Sequence, residues 1–124
     1  MIQVLAIAAG GALGSLLRFW MSAGIHSVLG RGFPYGTLAV NVLGCLIMGV
    51  LFVLFVERWS VDSVVRAGIF IGLLGGFTTF SAFTLETFNL LDQGAYLKAG
   101  LNMASSLILC VGATWIGVLA ARQL

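Results

Sequence analysis

The sequence predicts an all-α integral membrane protein, with one domain over residues 1–124, four transmembrane helices and a third helix broken in mid-membrane. Three observations carry that prediction. The composition is 60% hydrophobic and only 8% charged, with mean hydropathy +1.13. A soluble surface of this size carries about 25% charged residues. The apolar residues also fall into four runs, each at or above the roughly 20 residues that cross a bilayer. Finally, the third run contains GGFTTFSAFTLETF, where two glycines, four threonines, a serine and a glutamate interrupt an otherwise apolar helix.

The first span is expected over about 2–24. It carries Gly10 and Gly14 in a GxxxG pattern, which puts both glycines on one face and lets another backbone approach. No Lys or Arg precedes Ile2, so a cleaved signal peptide, which needs a basic leader, is not expected. Arg18 closes this run and either snorkels to the interface or makes the mouth of a pathway positive. The second span is expected over about 36–56. Asn41 lies early in it, with Thr37 one turn before on the same face.

The third span is expected over about 64–91, longer than a bilayer requires. Gly68, Gly72 and Gly76 recur every fourth residue, which again suits close packing. The surplus length coincides with a break bracketed by Gly75 and Thr78. Backbone freed at mid-membrane must find partners within protein or at an ion. Unwound carbonyls at Gly75 and Thr78 suit a sodium or potassium ion, and two per chain give four around a two-fold axis. The fourth span is expected over about 97–121, with Asn102, Ser106 and Cys110 four apart and Thr114 near that stripe. The connections HSVLGRGFPY, ERWSVD and LDQGAY are short enough for helices that cross back and forth.

Positive charge normally selects the cytoplasmic side. Here Arg18, Arg31 and Lys98 lie toward one side, and Arg58, Arg66 and Arg122 toward the other, which divides the six basic residues evenly. The balance predicts insertion in both orientations and an antiparallel, dual-topology homodimer. A dimer is expected also because four helices leave little room for a pore within one chain.

Polar residues inside spans are costly and mark pathways. Asn41, Ser81, Thr84 and Ser106 are donors rather than carboxylates, and donors suit an anion. Ser and Thr also satisfy themselves on their own backbone at i−4, a fate less open to the Asn41 amide. Phe80 and Phe83 are three apart on one helix face. An aromatic ring has a positive edge. Ring edges therefore replace part of a small anion's hydration without the fixed charge that would trap it.

Other chemistries find no support. GLLGGFTT lacks the lysine of a P-loop. His26 is placed in a loop, as an interface residue, with no metal ligand at suitable spacing. Cys45 and Cys110 read as small apolar helix residues. No Ser-His-Asp or paired-carboxylate arrangement lies in the spans, so enzymatic activity is not expected.

With GGFTTFSAFTLE in the third span, NVLG in the second and GGALGSLLRF in the first, the chain resembles the Fluc (CrcB) family of bacterial fluoride channels over nearly its whole length. Ala82 stands where the family's third-helix motif often has threonine. The resemblance implies a multi-pass protein of the bacterial inner membrane that assembles as an antiparallel dual-topology dimer with two fluoride pores. It implies that Phe80, Phe83 and Asn41 line the pore, and that Ser81, Thr84 and Ser106 form a polar track opposite the rings. Arg18 would stand near the pore entrance, and the carbonyls of Gly75 and Thr78 would hold a structural sodium ion at the dimer axis. The implied partners are fluoride, lipid and a second copy of the chain, and no nucleic acid.

Three rival classes bear on the same residues. A small dual-topology, proton-coupled multidrug exporter has four helices and about this length, but it needs a membrane carboxylate. None occurs between Met1 and Phe33, and Glu86 is the only acidic residue inside an apolar span. A cation channel would use the Gly75–Thr78 carbonyls as its filter, and a purely structural assembly factor would carry no ion.

Overall fold

The computed structural model describes residues 1–124 and contains four helical spans long and apolar enough to cross a membrane. Helix α1 is Ile2–Leu29 and α2 is Tyr35–Arg58. The third span, Ser63–Asp92, divides into α3, residues 63–77, and α4, Ser81–Asp92. Helix α5 is Tyr96–Gln123. Every helix outruns its apolar core because the polar flanks HSVL, ER and RQ continue the helical hydrogen bonding. His26 is therefore helical, not in a loop, and its Nε2 accepts the Gly36 N–H at 3.0 Å.

Glycines end two of the helices. Gly30 takes φ 82° after α1, and its N–H donates to His26 O at 2.9 Å. Gly94 takes φ 79° after α4, while Ala95 N–H reaches back to Leu90 O at 2.8 Å. A left-handed residue closing the last turn is where glycine is least strained. Pro34 caps α2, a position where its missing N–H removes no intrahelical hydrogen bond.

Packing depends on absent side chains. Helix α1 lies along α3, and α2 packs most extensively on α5. A Cβ at Gly14 would collide with the carbonyl of Leu73 and stand 2.9 Å from Phe77 N. One at Gly72 would stand 2.7 Å from Ile7 O, and one at Gly76 2.7 Å from Gly11 O. The close-packing reading of Gly10, Gly14, Gly68 and Gly72 thus holds, and Gly76 joins them. Along residues 68–74 the backbone widens to i→i+5 hydrogen bonds, so that Gly75 N–H donates to Phe70 O. Such wide turns concentrate at functional sites.

The break lies slightly beyond its expected place. Gly75 is still helical, at φ −62° and ψ −39°. The helix runs through Phe77 and opens at Thr78, which is extended at φ −87° and ψ 157°. Two contacts set that position. The Thr79 N–H, which would otherwise return to Gly75 O, donates instead to Asn41 Oδ1 at 2.8 Å. Asn41 Nδ2 in turn donates to Thr79 O at 2.9 Å. One turn on from Asn41, Gly44 gives the Thr78 methyl room that any Cβ would occupy.

Few side chains are buried within the single chain. Of 124 residues, 19 are buried, and large apolar groups such as Phe19, Trp20, Leu107 and Trp115 lie on the outside. Outward apolar side chains suit lipid, where burial inside protein is not what makes a helix stable. The two ends carry most of the charges. Arg122 makes a two-pronged contact to Glu57, at 2.7 and 3.1 Å, and Arg58 donates to Arg122 O at 2.8 Å. At the opposite end Lys98 donates to Gly32 O at 3.2 Å.

Candidate functional site

Two cavities meet at the break, and Thr79 lines both. The first, about 510 Å³, is an open groove bounded by α2, the break, α4 and α5. Its wall includes Asn41, Thr78, Phe80, Phe83 and Ser106, and no ionisable side chain other than the thiols of Cys45 and Cys110. The Phe80 and Phe83 ring centroids are 5.4 Å apart with planes tilted by 44°. Phe80 stays 76% exposed on the single chain, so its ring is free to meet an ion or another protein surface.

Asn41 holds the break in shape through its paired bonds with Thr79. The second Nδ2 hydrogen remains for a ligand, since a primary amide carries two. Thr79 itself carries no sequence signal beyond the TT pair, because its role depends on a partner 38 residues away. Ser81 and Thr84 stand apart from both cavities. Thr84 Oγ1 donates to Ser81 O at 2.8 Å, and Ser81 Oγ lies 3.3 Å from Thr79 Oγ1. Thr84 is thus satisfied on local backbone, the usual fate of a helical threonine.

The second cavity, about 410 Å³, is polar and net positive. Arg18, Arg31, His26 and Glu86 line it, with Ser22 and Thr37. Arg18 sits well inside α1 and not at its end, because the helix continues for eleven residues to Leu29. Its Nε is buried without a hydrogen-bond partner, and so is Oε2 of Glu86. Such atoms cost about 1–3 kcal/mol each unless water or a ligand satisfies them. Glu86 is fixed by its other oxygen, which accepts the Thr37 hydroxyl at 2.7 Å. Asn102 steadies α4 from the other side, donating to Thr87 Oγ1 at 2.9 Å.

The carbonyls of Gly75 and Thr78 accept no backbone or side-chain hydrogen bond, and Gly75 is exposed on the chain's surface. Hard oxygens with free lone pairs are the donor set sodium takes. Two such oxygens are too few for that ion from one chain.

A four-span helical membrane protein, its third span interrupted midway beside a neutral aromatic cavity and a positive polar one, is the class that fold and site define. The chain belongs to the family described as CrcB-like protein, Camphor Resistance (CrcB), whose model matches residues 5–118. It is 45% identical over 124 residues to the fluoride-specific ion channel FluC of Geobacter sulfurreducens, covering 100% of both chains. To the channel of the same name from Methylococcus capsulatus it is 47% identical over 123 residues, 99% of this chain and 54% of that relative. The chain thus spans about half the length of that one relative and all of the other.

Proposed function

We propose that this chain forms a fluoride-selective channel that lets fluoride leave the bacterial cytoplasm passively across the inner membrane. The observation that carries the proposal is the pairing of Phe80 and Phe83 beside the Asn41-clamped break, in a cavity whose wall holds no fixed charge. Relatives of full matching length that are named fluoride-specific channels support it.

The chemistry runs from mouth to passage. Arg18 and Arg31 against Glu86 leave the polar cavity net positive, which raises the local anion concentration. Beyond Thr79 the wall offers the Asn41 amide, the Ser106 hydroxyl and aromatic edges, all of which present partial positive charge. Fluoride, small and a strong acceptor, regains hydration energy there, whereas chloride is larger and accepts weaker hydrogen bonds. Hydrogen fluoride enters cells neutral and ionises in the more alkaline cytoplasm. The inside-negative potential then drives the anion out with ~2.3 kcal/mol per 100 mV. A chloride leak would dissipate that potential, so selectivity is required.

The proposed assembly is an antiparallel dual-topology homodimer with a structural sodium ion held by Gly75 and Thr78 carbonyls of both chains. The even division of basic residues, the exposed Gly75 and the unpaired carbonyls support it. Sodium would neutralise carbonyl dipoles that otherwise face one another. Labelling of a single cysteine placed at either end is expected from both sides of the membrane. Dimers purified with N-methylglucamine in place of sodium are expected to melt lower. One-sided labelling contradicts dual topology, and an unchanged melting temperature contradicts the sodium site.

The exporter alternative makes Glu86 a proton carrier. Its Thr37 bond and unpartnered Oε2 are what favour that reading. A channel predicts that Glu86→Gln keeps fluoride efflux uncoupled from proton movement. Proton-dependent cation export that disappears in Glu86→Gln would favour the exporter.

A further inference from the structure

The neutral cavity contains a feature that neither fluoride passage nor helix packing uses. Cys45 of α2 and Cys110 of α5 are both free thiols, and both line it. They come from different helices that meet at this level, where Thr114 Oγ1, one turn beyond Cys110, donates to Cys45 O at 3.0 Å. Met103, two turns before Cys110 on α5, adds a thioether to the same wall. Three sulfur-bearing residues therefore line one cavity whose wall has no carboxylate and no imidazole.

We propose that Cys45 and Cys110 form a site for a soft, two-coordinate monovalent cation such as silver(I) or copper(I), with Met103 as a flanking donor. Thiolate and thioether sulfur select soft ions, while hard ions require oxygen. Charge favours a monovalent ion as well. Silver displaces one proton from one thiol, forms an Ag–S bond to that sulfur, and takes the second sulfur as a neutral donor. The released proton goes to solvent, and the complex is electroneutral, so it escapes the penalty of a net charge buried in membrane. A tetrahedral zinc ion would need four ligands that this wall does not supply. Because the same cavity holds Phe80, Phe83 and Asn41, a bound ion obstructs fluoride; that consequence rests on the proposed channel function.

The test counts silver on purified protein in chloride-free detergent buffer, after desalting, by elemental analysis. About one silver ion per chain is expected, with affinity falling at least about tenfold in Cys45→Ala and in Cys110→Ala taken singly, since a shared ion loses half its linear coordination. Wild-type protein alkylated with N-ethylmaleimide, which needs no mutation, is expected to retain none. Undiminished binding in either single variant, or silver retained after alkylation, overturns the shared site. In proteoliposomes, silver is expected to stop wild-type fluoride efflux and to spare the double variant, each measured against its own silver-free rate. Bound silver with full efflux overturns the placement of the site in the conduction path. Absence of efflux before silver is added contradicts the channel itself, and the silver count then decides the site alone.

Discussion

Replacing both phenylalanines, Phe80→Ile with Phe83→Ile, is expected to slow fluoride efflux by roughly tenfold to a hundredfold while leaving the protein folded. Each aromatic edge contributes about 0.5–1.5 kcal/mol to a well-placed contact, and 1.4 kcal/mol is a factor of ten in rate. Isoleucine keeps the apolar character and much of the bulk but lacks the positive ring edge. The fold should tolerate the change, because Phe80 is 76% exposed and the chain gains little from burying it. Efflux from proteoliposomes, with recovery of monodisperse protein by size exclusion as control, reads the effect. Unchanged efflux would remove both rings from the pathway.

Asn41→Ala is expected to have the larger effect on structure. It removes both bonds to Thr79 and leaves an N–H and a carbonyl at mid-membrane without partners. The loss is about 2–4 kcal/mol, from two bonds near 1 kcal/mol and the desolvation cost of the groups left behind. Thermal unfolding in detergent should show it, together with loss of efflux. Asn41→Asp separates the two roles. The carboxylate still accepts the Thr79 N–H but no longer donates, and it adds a negative charge to an anion path. Efflux should vanish with a smaller loss of stability. Wild-type stability in Asn41→Ala would mean that the clamp does not hold the break.

Much of this molecule was legible in the sequence because membrane helices are governed by length and hydropathy, both local. The four spans, the interruption of the third and the glycine faces of α1 and α3 follow from such signals. The ends of the helices were less legible. HSVL reads as a loop by polarity, yet His26 continues α1 because its imidazole meets a backbone N–H across the connection. That extension is also why Arg18 lies inside its helix. The register of the break was not legible either. Gly75 and Gly76 look like the opening, but both remain helical, Gly76 packed closely against the Gly11 backbone. The opening falls at Thr78 because Asn41 takes the hydrogen bond that would have closed the next turn. The polar stripe of α5 divides similarly: Asn102 braces α4, Thr114 donates to Cys45 O at 3.0 Å, and Ser106 is left facing the cavity. Serine and threonine in membrane helices look alike in sequence, and only their neighbours separate a wall from a brace.

The most direct measurement is ion efflux from proteoliposomes that contain the purified protein, with fluoride and chloride followed in parallel. A fluoride-selective channel gives fast fluoride efflux, dependent on the membrane potential, with no chloride efflux above protein-free vesicles. Well-reconstituted protein that passes no fluoride, or passes chloride as readily, would contradict the proposed function.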